Sequence, residues 1–116
     1  MTLEYQQAPV HDDLAFRKWL LGFKGIGPKT ASWITRNWLS SDRVAIIDIH
    51  IYRAGLLVGL YNNRQSPARE YFEMEDQFLA FAHGIRVKAS TLDALIWRRM
   101  KDAGDFVFTL IKRLPQ

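Results

Sequence analysis

The sequence predicts an all-α protein, a compact helical bundle containing one helix-hairpin-helix motif, and three observations carry that expectation. Apolar residues recur at spacings of three and four through successive stretches. Residues that start helices (Pro28, Asp48, the pair Ser66 and Pro67) and residues that stop them (Gly22, Gly84, Gly104) bound those stretches. The apolar run "VAIID", residues 44–48, is too short to establish a strand.

Each element follows from local pattern. After a polar start, "DDLAFRKWLLGF" sets Leu14, Trp19, Leu20 and Leu21 near one helical face, and Gly22 suits a C-terminal stop. The next helix begins at Pro28, whose missing N–H costs nothing in a first turn. It runs to about Leu39, with Ala31, Ile34 and Trp38 repeating at three and four. "SSDR" is a turn, and Asp48 stands at an N-cap position ahead of "IHIYRAGLLVGL". "YNNRQSP" is a second loop, with Ser66 as cap and Pro67 as first residue of a helix that Gly84 closes. Phe72, Phe78 and Phe81 are expected in the core on that helix. "ASTLDALIWRRMKDAG" repeats the pattern, with Ser90 or Thr91 as cap and Gly104 as stop. The last piece, "DFVFTLIKRLPQ", suits helix or strand equally.

Size and composition bound the rest. A chain of 116 residues supports one core, and no repeat or linker divides it, so residues 1–116 read as a single domain. No uninterrupted apolar run reaches the roughly 18 residues of a membrane span, and "MTLEYQQAPVHDD" is no secretory signal. Without cysteine there is no disulfide, thiolate metal site or iron–sulfur cluster, which fits a reducing cytoplasm. His11, His50 and His83 show no ligand spacing, so no metal site is expected. A net charge of +4 and a pI near 9.6 favour a polyanionic partner.

The informative stretch is "GFKGIGPKTASWITRNWLSSDRVAIIDIHIYR", residues 22–53. "GFKGIGPK" between two amphipathic helices has the pattern of a helix-hairpin-helix. Gly25 and Gly27 can take positive φ and let backbone come close to a ligand. The N–H groups from Ile26 to Lys29 stand at a helix start and suit a phosphate oxygen, with Lys24 and Thr30 beside them. Ile26 is expected to tuck between the flanking helices. A tight interhelical turn with glycines serving geometry alone is the plainer reading of two glycines.

Residues 20–53 resemble the signature region of the helix-hairpin-helix DNA glycosylases of base-excision repair, through "GIGPKTA" and "AIIDIHIYR". "AIIDIHIYR", "ITRNW" and "LDALIW" are most similar to 8-oxoguanine DNA glycosylases. A lysine at position 29 implies the bifunctional class, a glycosylase that is also an AP lyase, with Asp48 as its acid. The partner so implied is double-stranded DNA carrying a damaged base or an abasic site. The location implied is the cytoplasm, on the nucleoid, or the nucleus. No cofactor is implied beyond a monovalent cation that hairpins of this family can hold on backbone carbonyls.

The chemistry of such a pair follows from its groups. Lys29 attacks C1′ of a nucleotide only as the neutral amine. The positive end of its helix works against the ammonium form, while a nearby carboxylate works for it. Asp48, ionised at a helix start, would steady the positive charge that develops on the sugar as the base leaves, and could handle protons in later steps. Arg53, further along that helix, suits a phosphate or an acidic partner, and His50 reads as structural. A flipped base needs a platform, for which Trp33, Trp38, Phe78, Phe81 and Trp97 are candidates. "WRRMK", Trp97 to Lys101, is a basic segment that suits the DNA side or plain solvent.

Only residues 1–21 precede the hairpin, where the family supplies a set of helices, so most of an N-terminal subdomain is expected to be missing. The apolar surface so exposed could pair with a second copy or a partner subunit. Two functions of different class therefore stand: a small bifunctional glycosylase for 8-oxoguanine or a related base, and a non-catalytic helix-hairpin-helix DNA-binding module. An all-helical protein-interaction domain is a third.

Overall fold

A computed structural model describes residues 8–114. Five helices succeed one another: α1 (Asp13–Leu20), α2 (Pro28–Leu39), α3 (Ile49–Val58), α4 (Pro67–Gly84) and α5 (Ala89–Lys112). There is no strand among the described residues, and no helix there is long and apolar enough to cross a membrane.

Two apolar clusters hold the helices. The smaller joins α1 to α2 through Phe16, Leu20 and Ala31, with Trp19, Ile26 and Ile34 packed against it. Ile26 thus sits between the two helices of the hairpin, as its apolar side chain between glycines suggests. The larger gathers Ile47 and Ile51 with Tyr71, Met74, Phe78 and Ala82 of α4 and Ala89 and Leu92 of α5. Gly55 lets the Tyr61 ring lie flat on α3, because a Cβ there would run into that ring.

Helix ends explain most departures from the sequence-based reading. α2 has the expected limits, with Pro28 in its first turn. α5 starts at Ala89 with Lys88 at the cap position, ahead of Ser90 and Thr91. Neither of those hydroxyls needs to cap it, because Asp42 Oδ1 accepts the Ser90 N–H at 2.8 Å from the loop before α3. Gly104 does not end α5. It takes φ 44° and ψ −115° and kinks the helix, which then continues to Lys112, so the last segment is helical. In α4 the buried line runs Tyr71, Met74, Glu75, Phe78, Ala82. Phe72 and Phe81 stand off that line and are 42% and 38% exposed, so of the three expected core phenylalanines Phe78 alone is buried. Trp38 is likewise 63% exposed. In α1 the buried positions are Phe16, Arg17 and Leu20, with Trp19 and Leu21 partly covered.

Candidate functional site

The hairpin and the segment before α3 meet at the starts of two helices. Asp48 is the N-cap of α3, its Oδ1 accepting the Ile51 N–H at 2.9 Å. Lys29 is exposed in the first turn of α2. The two line a common depression of about 240 Å³ with Thr30, Trp33 and Ile46. They meet again in a second hollow of about 390 Å³, floored by Ile47 and Tyr71. An amine and a carboxylate separated by nineteen residues in the chain therefore open onto the same space.

The two hairpin glycines differ. Gly25 has φ 88°, a left-handed conformation that an L side chain rarely adopts. Gly27 has φ −92° and ψ −179°, ordinary extended backbone, which corrects the expectation of positive φ there. A Cβ at Gly27 would meet nothing within 4 Å. The fold therefore does not itself demand glycine at 27; what it leaves is open approach to the start of α2, where no side chain caps the helix. Ile26 N–H is spent on Phe23 C=O at 3.2 Å, so the donors facing outward begin after it. Lys24 and Thr30 are exposed, Thr30 on the wall of the shared depression. Arg53 is half-buried, a turn along α3 from Asp48.

A larger hollow of about 580 Å³ opens beside Asp48, between Trp33 of α2 and Trp97 of α5, with Asn37, Asp93 and Arg98 on its walls. Trp33 and Trp97 are 56% and 41% exposed. His50 packs edge-on against the Trp97 ring at 5.9 Å between centroids, and the Lys101 ammonium lies 4.8 Å from that ring on its face. His50 thus has a structural contact on the wall of this hollow. Of the other platform candidates, Phe78 is sealed in the core, and Trp38 lines a separate apolar groove with Phe16 and Trp19.

Residues that pattern reading passed over hold the segment that carries Asp48. Residues 44–47 are neither helix nor strand, yet Val44, Ala45 and Ile47 are buried. Buried backbone must be paired, and side chains do the pairing. Arg36 Nη2 donates to Val44 C=O at 2.6 Å, and Asp93 Oδ2 accepts the Ile46 N–H at 3.2 Å. Glu75 Oε2 accepts the Ala45 N–H at 2.9 Å. The Tyr71 hydroxyl donates to Ala45 C=O and accepts the Ile47 N–H, at 2.8 and 3.1 Å. Arg36 is paired with Asp93 and Arg17 with Glu75, all four side chains nearly inaccessible. Burial pushes the Asp93 carboxyl up from its ordinary value, against the opposing pull of Arg36 and the Ile46 N–H. The signal was present in the sequence: Glu75 falls one turn from Tyr71 and Phe78, on the line that packs inward. A charge on an apolar line calls for a buried partner.

Comparison with known proteins places the chain in a family. The family model for the helix-hairpin-helix 8-oxoguanine DNA glycosylases matches residues 2–87. A protein of Metallosphaera sedula described as 8-oxoguanine DNA glycosylase/AP lyase is 36% identical over 86 residues, which are 74% of this chain. That stretch is 42% of the relative, so the chain spans less than half the length of the curated protein it matches. No solved structure matches it significantly.

Proposed function

We propose that this chain, which belongs to the 8-oxoguanine DNA glycosylase family, is a base-excision repair glycosylase with AP lyase activity on duplex DNA. One observation carries the reading above the others: Lys29 and Asp48, at the starts of two different helices, line one open depression.

In this reading the hairpin grips the DNA backbone. The open approach at Gly27 and the uncapped start of α2 receive a phosphate, with Lys24 alongside. The damaged nucleotide turns out of the duplex, and its base enters the larger hollow, which Trp33 and Trp97 help to line. The deprotonated Lys29 amine attacks C1′ as the bond from C1′ to the base nitrogen breaks; the electron pair leaves with the base, which takes up a proton. Asp48, ionised and fixed by its cap, stabilises the positive charge that the sugar gains on the way. Ring opening of the aminal gives a Schiff base between Lys29 and C1′. Loss of a C2′ proton then expels the 3′ phosphate, and water releases the lysine and the cleaved sugar.

Borohydride, which reduces the Schiff base to a stable amine, tests this. Duplexes bearing 8-oxoguanine or an abasic site should yield a covalent adduct with the unsubstituted chain and none with Lys29→Ala. Salt-sensitive duplex binding without an adduct would instead support a non-catalytic DNA-binding module.

A further inference from the structure

We infer that Asp93, held by Arg36, is a positioning residue for Asp48 and fixes the carboxylate toward the hollow that Trp97 walls. This rests on the glycosylase reading for its consequence, although not for its geometry.

Asp48 follows a buried segment with no ladder of its own, so its position is only as well defined as the side chains holding that segment. Ile46 is the last anchored point before it on the α5 side. Ile46 C=O accepts the Asp48 N–H at 3.1 Å, while its own N–H goes to Asp93 Oδ2. The other oxygen of Asp93 takes Arg36 Nη1 at 2.8 Å. Arg36 then ties down the preceding turn through Ser41 C=O at 2.7 Å, as well as Val44 C=O. Arg36 and Asp93 thus hold Ser41, Val44 and Ile46 from α2 and α5, beside the bonds that Glu75 and Tyr71 of α4 make to Ala45 and Ile47. Trp97 stands one turn beyond Asp93 on α5, so the same carboxylate sets the spacing between acid and aromatic wall.

Cohesion does not require an ion pair here. A buried pair can often be exchanged for apolar side chains of similar volume with no loss of stability, because desolvation offsets most of the attraction. Apolar side chains could not, however, accept the Ile46 N–H or donate to Val44 and Ser41. The hydrogen bonds to the segment are what the pair adds.

The decisive variant is the double swap Arg36→Met with Asp93→Leu, since removing one partner strands a charge in the core. Amide hydrogen exchange is read at Ile46 and at Ile51, whose N–H is bonded to Asp48, with Met74 and Phe78 of α4 as controls. Borohydride trapping on abasic duplex and duplex affinity are measured beside it. Exchange at Ile46 and Ile51 should rise at least about tenfold while the α4 amides stay unchanged. Trapping should slow by about a hundredfold with duplex affinity kept. Arg36→Gln with Asp93→Asn, which removes both charges and keeps an acceptor for the Ile46 N–H, should fall between the swap and the unsubstituted chain in both readouts. Unchanged exchange at Ile51 in the folded swap, or an equal rise at all amides, would overturn the inference. If the unsubstituted chain forms no adduct, the lyase reading falls alone, and the exchange pattern still decides whether Asp93 positions Asp48.

Discussion

Asp48 has two duties that a single substitution separates. As N-cap it needs only an acceptor, and asparagine caps as well as aspartate. As the group facing a cationic sugar it needs its charge. Asp48→Asn should therefore leave stability within about 0.5 kcal/mol and duplex affinity nearly unchanged. Base release in single turnover should fall by about a hundredfold or more. Parallel loss of binding and stability would assign Asp48 to the fold alone. Gly27 offers a similar separation. Serine there is a good helix cap and its Cβ meets no neighbour, so Gly27→Ser should hold or raise the melting temperature. If a phosphate approaches this backbone, duplex affinity should fall about tenfold in the same variant; full affinity would leave the glycine without a ligand role. Both positions were legible in the sequence as types. That only Gly25 requires positive φ was not, because it depends on how the hairpin closes over Ile26.

The helices were read well where their signals are local and poorly where the partner is distant. Pro28 and Asp48 mark the starts of α2 and α3 because proline and a capping carboxylate act within one turn. The start of α5 is satisfied by Asp42, from 48 residues away, and no local pattern near Ser90 announces that bond. Its hydrogen bonds with Ser90 hold the Asp42 carboxyl below its ordinary value of 3.8. A carboxyl depressed in the folded state contributes stability that is present above 3.8 and is lost as pH falls through the lower folded value. Asp42→Ala should lower stability by about 1 kcal/mol near neutral pH. Melting curves of the two proteins should converge as pH drops below that range, whereas a gap unchanged into acid would mean the carboxylate charge contributes nothing. The kink at Gly104 escaped the sequence reading for a different reason. A glycine that can stop a helix can also bend one, and the apolar residues that follow suit either outcome.

At the scale of the molecule, the helical class followed from spacing and punctuation, while the assembly of the site needed the fold. Arg17, Arg36 and Asp93 look like surface charges one at a time, and only Glu75 stands on an apolar line; packing pairs the four across α1, α2, α4 and α5 around the segment that ends at Asp48. The same packing brings the start of α2 beside the start of α3, so that Lys29 and Asp48 share a space. The matched stretch is 42% of its curated relative, which makes the competence of this chain the point to measure. The most direct measurement is to reduce the chain with borohydride in the presence of abasic duplex, digest it, and locate the modified lysine by mass. The account predicts a single adduct on the peptide carrying Lys29. An adduct on Lys24 or another lysine, or none while the duplex is bound, would contradict it.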